Sequence, residues 1–241
     1  NKMKVVAIIQ ARLYSTRLPR KMMADIYGKT ILSRVVDRVS RCKQIDKLIV
    51  ASSRASLLWG ADFEAQYFIL NGPEDDVLAR IYHAAHTYDA DAVLRVCGDC
   101  PLFDPESADH LIFMSRNSGV DYSFLEVDVP QLADSGSFKF PEGIDAEFIS
   151  MSALEVAHKE ATDHHDREHV TPWISRNNDR FQRASITPDK DYSGLKWSVD
   201  TAEDLEFVRS IYRQLTADFT LEDVIMLLET QPELLEINWQ T

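Results

Sequence analysis

A cluster of cations follows the first predicted strand of the chain. Residues 5–9 form an apolar run typical of a buried strand, and the segment 11–21 after it carries Arg12, Arg17 and Lys21. In open α/β sheets, ligands bind outside the carboxyl ends of the strands. Arginine contacts phosphate oxygens bidentately and lysine supplies a compact charge, so this loop predicts a polyphosphate site. A basic loop exposed to solvent is the alternative interpretation.

Carboxylates follow two further predicted strands. Gly98 and Asp99 come directly after the apolar run 92–96, and Asp200 follows the predicted strand 196–199. A glycine lets the backbone approach a ligand closely, and carboxylate oxygens are the ligands that Mg²⁺ prefers. We therefore predict a metal site at these strand ends. The residues after Asp200 suit a helix start, so a helix cap is the alternative interpretation for that side chain.

Two other polar groups are candidates for substrate binding. Asp145 and Glu147 lie two residues apart, so on a strand their side chains share one face. Residues 163–169 contain three histidines and Arg167. This segment is either a metal cluster or a helix start whose Arg167 and His169 face a substrate, and we favour the second interpretation.

Alternating strand and helix patterns carry these residues. Strands are predicted at residues 5–9, 47–51, 67–70, 92–96, 122–124, 145–149, 181–186 and 196–199. Helices are predicted at residues 30–41, 73–88, 105–117, about 150–162, 167–176, 202–215 and from residue 221. The alternation predicts a three-layer α/β fold with a mostly parallel sheet. We predict one domain over residues 3–241, with an inserted lobe at about 120–180 that covers the site or makes a dimer contact.

Composition narrows the class of partner. The 241 residues carry a formal net charge of −13, whereas a nucleic-acid-binding protein normally shows a basic face. No apolar run approaches the roughly 20 residues that span a bilayer. Only three cysteines occur, which favours a reducing compartment and a cytoplasmic location. Cys97 and Cys100 have the spacing of a redox motif, an alternative that we consider weaker.

Four motifs together resemble a known family. They are residues 9–12 with 15–19 and Lys21, residues 95–105, residues 167–172 and residues 199–205. They resemble the cytidylyltransferases of the spore-coat polysaccharide type, which are similar to acylneuraminate and 3-deoxy-manno-octulosonate cytidylyltransferases. The likeness runs from about residue 4 to residue 215. One departure is Arg20, which stands where the family commonly has a glycine.

The resemblance implies a Rossmann-like fold similar to the nucleotide-diphospho-sugar transferases, and it implies a homodimer. It implies that CTP and a small acidic sugar or related acceptor give a CMP-sugar and pyrophosphate, with Mg²⁺ or Mn²⁺ held by Asp99 and Asp200. The catalytic residues that it implies are Arg12, Lys21, Asp99 and Asp200. The nucleotide-binding residues that it implies are Gln10, Ala11, Arg12, Ser15, Arg17, Lys21, Gly72, Asp76, Arg80 and Gly98. The substrate-binding residues that it implies are Arg95, Asp145, Glu147, Arg167 and His169.

Two alternatives to this function remain at the level of the sequence. The first is a glycosyltransferase that uses an existing nucleotide sugar. Such enzymes usually carry an Asp-x-Asp motif after a central strand, whereas residues 89–91 have that spacing at a strand start. The second alternative is a module that binds a nucleotide without turnover.

Overall fold

The computed structural model describes residues 2–11, 15, 17–53, 65–127 and 137–238. Its strands are β1 (Val5–Ala11), β2 (Asp25–Ile26), β3 (Lys29–Thr30), β4 (Lys47–Ser52), β5 (Gln66–Ile69), β6 (Ala92–Cys97), β7 (Tyr122–Leu125), β8 (Ala146–Ser150) and β9 (Arg183–Ile186). Its α-helices are α1 (Ile31–Val39), α2 (Val77–Thr87), α3 (Pro105–Ser118), α4 (Met151–Glu160), α5 (His164–His169), α6 (Thr171–Arg176), α7 (Ala202–Gln214) and α8 (Leu221–Thr230). Short 3-10 helices occupy Lys21–Met23 and Pro232–Glu236.

Seven strands form one central sheet in the order β5-β4-β1-β6-β8-β7-β9. The pairs from β5 to β6 are parallel, β8 runs antiparallel to both of its neighbours, and β7 is parallel to β9. The predicted α/β fold with a mostly parallel sheet is therefore confirmed. Strands β7 and β8, from the stretch that we predicted as an inserted lobe, lie within this sheet.

Two apolar cores lie on opposite faces of the sheet. Ala7 and Ile9 of β1 belong to a core shared with α1, α3, α7 and α8. Val6 and Ile8 belong to a second core shared with α2 and α4. Successive side chains of a strand point to opposite faces, so the continuous apolar run of β1 reflects burial on both sides. These helices form the outer two of the three layers.

Two predicted elements differ from the structure. Residues 196–199 were predicted as a strand but form only an isolated bridge between Lys196 and Glu142. Residues 167–176 were predicted as one helix but lie in α5 and α6, which are separated at Val170. The backbone of Val170 has a positive φ of 72°, and this conformation ends one helix before the next begins.

The order of the strands places a cleft beside the end of β1. After β1 the chain forms β4 and β5 on one side of β1, and it later forms β6 on the other side. The direction in which strands are added to the sheet therefore reverses at β1. Gln10 of β1 lies opposite Cys97 of β6, and the Gly98 amide donates to the Gln10 carbonyl at 3.0 Å. Such a reversal opens a crevice at the carboxyl ends of the strands.

None of the helices in the described part of the chain has both the length and the apolar character that crossing a bilayer requires.

Candidate active site

Two adjoining cavities open at the carboxyl ends of β1 and β6. The smaller has a volume of about 190 Å³, and four residues predicted to bind nucleotide line it, namely Gln10, Ala11, Arg80 and Gly98. The larger, of about 520 Å³, lies towards β7 and β8. Arg95, Asp99 and His169 line both, so the two cavities share a wall.

Close packing explains the glycine at the end of β6. A Cβ atom on Gly98 would lie 2.9 Å from the Gln10 carbonyl oxygen and 3.0 Å from the Met22 sulfur. Any side chain would therefore push β6 away from β1 or displace Met22. Gly98 thus holds Asp99 close to the segment that carries Lys21.

Lys21 joins the two predicted metal ligands. Its Nζ donates to Asp99 Oδ2 at 2.7 Å, to Asp200 Oδ1 at 2.9 Å and to the Val199 carbonyl at 2.9 Å. The Lys21 side chain is only 4% exposed, whereas the two carboxylates are 23% and 20% exposed. Lys21 follows Arg20, whose backbone is left-handed at φ 56° and ψ 31°. Glycine adopts this conformation more readily than other residues do.

Charge pairing sets the protonation states of this group. Burial acts to lower the pKa of Lys21, but the carboxylates of Asp99 and Asp200 outweigh it, so the pKa lies above its ordinary value. Burial acts to raise the pKa of Asp200, but Lys21, Lys196 and Arg17 together lower it. The two groups are therefore held as an ammonium and a carboxylate.

The start of α7 holds Asp200 in place. Thr201 caps the helix, and its side chain accepts from the Asp204 amide at 3.3 Å. Asp204 is buried and accepts from the backbone amides of Asp200 and Thr201 and from Lys196. The helix cap is thus formed by Thr201 and Asp204, which leaves the Asp200 carboxylate directed at Lys21.

The cationic loop is described in part. Arg17 Nη2 lies 3.2 Å from Asp200 Oδ1, and its side chain is 62% exposed. Ser15 Oγ accepts from the Leu18 amide at 3.4 Å. The prediction for Arg12 lies outside the described residues.

The chemistry of these donors fits Mg²⁺ or Mn²⁺. Asp99 and Asp200 present partly exposed carboxylate oxygens around one cationic centre, the Lys21 ammonium. Hard divalent cations prefer such oxygen ligands and usually keep several waters as well. A pair of carboxylates is therefore sufficient on the protein side.

A hydrogen-bond network links two of the predicted substrate residues, Arg95 and Glu147, to their neighbours. Arg95 is buried, donates from Nε to Gln10 Oε1 at 2.7 Å and pairs through Nη1 with Glu147. Glu147 Oε1 also accepts from Tyr122 at 2.8 Å and from Thr171 at 2.7 Å. Burial acts to lower the pKa of Arg95, but the Glu147 carboxylate reverses the effect and raises it. This network forms one wall of the larger cavity. Sequence reasoning missed Tyr122 as a member of the site.

Asp145 is the predicted substrate residue whose partners are neutral. Its Oδ2 accepts from the Gly143 amide at 2.7 Å and lies 4.0 Å from the Cys100 sulfur. Burial raises the pKa of Asp145 to about 6, against the effect of the Gly143 amide. Glu142, which sequence reasoning also missed, accepts from Ser198 at 2.7 Å, and burial raises its pKa. Both carboxylates line the larger cavity.

The structure brings Arg167 to Asp76. The Arg167 guanidinium donates to both carboxylate oxygens of Asp76, at 2.9 and 3.1 Å, and to the carbonyls of His158 and Ala161. Asp76 also caps α2. This pair therefore ties α5 to the start of α2. Gly72 is exposed on the loop before that helix.

Arg80 lies on α2 and lines the smaller cavity. Its side chain is buried and donates to the Glu74 carbonyl at 2.8 Å, while its Nε lacks a hydrogen-bond partner within the described part of the chain. Burial lowers the pKa of Arg80. A buried guanidinium with an unused donor is suited to bind an anionic or carbonyl oxygen.

The histidine segment has structural partners. Asp163, His165 and Asp166 place possible ligand atoms within 4.8 Å of one another, which agrees with the metal alternative that we weighed. However, Asp163 caps α5 and Asp166 is paired with Arg176, so both acids have other partners. His169 lies against His165, with ring centroids 4.5 Å apart, and lines both cavities.

The cysteines next to Asp99 favour no redox role. Cys97 and Cys100 are free thiols. Burial raises the pKa of Cys97 to about 12 and raises that of Cys100 well above its ordinary value. Reactive thiols need the opposite shift.

Comparisons with known proteins identify the family of this chain. The spore coat polysaccharide biosynthesis protein SpsF of Bacillus subtilis is 26% identical over 95% of this chain and 95% of its own length. A 3-deoxy-manno-octulosonate cytidylyltransferase of Anaeromyxobacter is 32% identical over 51% of this chain and 50% of its own. The solved structure of a cytidylyltransferase from Leptospira borgpetersenii superposes with a TM-score of 0.84, at 27% identity, over 99% of this chain and 98% of that one. The family model for cytidylyltransferases matches residues 6–237. The chain, in which Asp99 and Asp200 surround the buried Lys21, belongs to the cytidylyltransferase family.

Proposed function

We propose that the protein is a Mg²⁺-dependent cytidylyltransferase that couples CTP to a sugar acid or a related acceptor. The products would be a CMP-sugar and pyrophosphate, used in the synthesis of a surface polysaccharide. The observation that carries this proposal is the convergence of Lys21, Asp99 and Asp200 at the strand ends. The spore-coat and 3-deoxy-manno-octulosonate relatives support the class of acceptor.

Nucleotidyl transfer requires positioning and charge neutralisation more than covalent chemistry by the protein. Mg²⁺ held by Asp99 and Asp200 would supply a Lewis acid for the phosphate oxygens. Lys21 and Arg17, next to these carboxylates, are suited to bind the triphosphate. An oxygen of the acceptor would attack the α-phosphorus in line, and the bond to the leaving pyrophosphate would break.

The larger cavity is suited to the acceptor. It adjoins the metal ligands, and its wall offers the carboxylates of Glu142 and Asp145 to hydroxyl groups. The smaller cavity, with buried Arg80 and the strand-end Gly98, is suited to the nucleotide. We further propose that the protein acts as a cytoplasmic homodimer, which sedimentation and cell fractionation would test.

The first test is pyrophosphate release with Mg²⁺, each of the four nucleoside triphosphates and a panel of sugar acids. We expect release that depends on CTP and on one class of acid. Asp99→Asn should lower turnover at least about 100-fold, because it removes a charged metal ligand. Asp37→Asn on α1 is the matched control, since that carboxylate pairs with Lys29 away from the site.

Two results would contradict the proposal. Full turnover by Asp99→Asn would remove the metal assignment. Failure of all four nucleotides to stabilise the protein against heat, together with absence of turnover, would remove the nucleotide site itself.

A further inference from the structure

The Lys21 ammonium has all of its donors in use. A lysine ammonium has three N–H donors, and Nζ contacts three acceptors, in Asp99, Asp200 and the Val199 carbonyl, at 2.7 to 2.9 Å. With only 4% of its side chain exposed, Lys21 has almost no contact with water. The ammonium is therefore fixed between the two carboxylates.

The charge of these carboxylates is already balanced. Lys21 contacts both, and Asp200 has two further cations nearby, with Arg17 at 3.2 Å and Lys196 at 3.4 Å. The other oxygen of Asp99, Oδ1, has no hydrogen bond from Lys21 and lies 3.6 Å from the Cys100 sulfur. A divalent cation that enters alone therefore meets an ion-paired site, and it has to displace an ammonium.

Displacement of Lys21 without a new partner is costly. Removing one member of a buried ion pair leaves an unpaired buried charge, which is strongly unfavourable. A triphosphate supplies what is missing, because its oxygens can accept the hydrogen bonds that the ammonium gives up. The same movement frees the Asp99 and Asp200 oxygens for the cation.

We propose that Lys21 closes the metal site to free divalent cations and that the nucleotide opens it by taking over the Lys21 ammonium. Metal and nucleotide then bind as a coupled pair, and Lys21 sets the strength of the coupling. This inference rests on the proposed function, because it needs a nucleotide beside Asp99 and Asp200. It extends the role of Lys21 from binding phosphate to controlling when the metal binds.

The test is a titration with Mn²⁺ alone, followed by electron paramagnetic resonance, in the absence of nucleotide. We expect Lys21→Met to bind Mn²⁺ about tenfold or more tightly than the wild type, a factor within the range of coupled sites. Lys21→Arg keeps the charge and should bind Mn²⁺ as weakly as the wild type. The double variant Lys21→Met/Asp99→Asn should lose the gain, which would assign it to this site.

A circular dichroism spectrum first establishes that each variant is folded, and Lys21→Gln replaces Lys21→Met if the latter is not. Equal Mn²⁺ affinity in the wild type and the neutral variant would overturn the inference. So would a site that binds Mn²⁺ tightly in the wild type without nucleotide.

A second measurement separates this inference from the proposed function. In the wild type, Mn²⁺ should raise the affinity for CTP, measured by calorimetry, and binding linkage requires an equal effect of CTP on Mn²⁺. CTP binding that is indifferent to Mn²⁺ contradicts the inference alone and leaves the nucleotide site standing. Absence of CTP binding with and without Mn²⁺ contradicts both.

Discussion

At the scale of single residues, the charges of the site fall into two kinds. Asp99 and Asp200 are paired with a lysine, whereas Glu142 and Asp145 accept hydrogen bonds from a hydroxyl and an amide. A carboxylate that loses water without gaining a cation becomes a weaker acid. The pKa values of neighbouring carboxylates in one cleft are therefore shifted in opposite directions, downwards for Asp200 and upwards for Glu142 and Asp145.

The pKa of Asp145, raised to about 6, predicts how the free energy of unfolding depends on pH. The folded protein holds this proton at pH values where the unfolded chain has released it. Stability from this group is therefore present below about pH 4 and declines as pH rises to about 6. Asp145→Asn keeps an oxygen for the Gly143 amide but cannot ionise, so it should gain stability relative to the wild type between pH 5 and pH 8, by at most about 3 kcal/mol.

Thermal melts of the wild type and Asp145→Asn at pH 5 and pH 8 measure this change. Glu142→Gln should change in the same direction, because burial also raises the pKa of Glu142. A melting-temperature difference for Asp145→Asn that is equal at both pH values would show that the carboxylate is fully charged in the folded protein.

At the scale of elements, local pattern was sufficient wherever apolar periodicity decided the structure. β1, α1 and α3 lie where residues 5–9, 30–41 and 105–117 predicted them, because each run buries its apolar side chains regardless of distant partners. The Lys21 contacts could not be predicted in the same way. They depend on where the chain brings Asp99 and Asp200, and no local pattern encodes that position.

The segment 196–199 shows why one element was predicted wrongly. Its alternating apolar residues are typical of a strand, but the Trp197 amide donates to the Glu142 carbonyl and the Val199 amide to the Asp99 carbonyl. The backbone is thus shared between two other segments instead of pairing along one strand. The tight approach of Gly143, which makes this arrangement possible, is visible only in the structure.

Gly143 provides the prediction at this scale. Its φ is +105°, and an added Cβ would lie 2.3 Å from the Ser198 amide nitrogen. Gly143→Ala should therefore destabilise the protein by roughly 3 kcal/mol, through backbone strain and a clash with backbone atoms. It should also lower turnover, because the displaced segment carries Asp200. Denaturant unfolding and pyrophosphate release measure the two effects.

Gly194 is the matched control for that variant. Its φ is also positive, at +82°, but an added Cβ would meet no atom within 4 Å. Gly194→Ala should cost only the backbone strain, about 1–2 kcal/mol, and leave turnover unchanged. Equal effects of the two substitutions would show that the contact between Gly143 and Ser198 has no energetic importance.

At the scale of the whole molecule, the sheet separates two cores and places the site at one edge of both. The core that contains α1, α3, α7 and α8 supports Lys21 and Asp200, and the other core supports the Arg167–Asp76 pair through α2. The three layers and the parallel strands followed from the alternation of patterns. The position of β8, antiparallel between β6 and β7, did not follow, because sequence order does not reveal which strands become neighbours.

The separation of the site residues along the chain has a kinetic consequence. Lys21 meets Asp99 across 78 positions and Asp200 across 179. Contacts between such distant parts of a chain form slowly, since the closure of long loops precedes any gain from the contact. In refolding from denaturant, we therefore expect the circular dichroism signal of the helices to return first. CTP binding, measured as a change in fluorescence or as protection against heat, should return with the slowest phase. Protection that returned with the early helical signal would mean that this nucleotide site forms from a fragment of the fold, whereas late recovery would make ligand binding a reporter of complete folding.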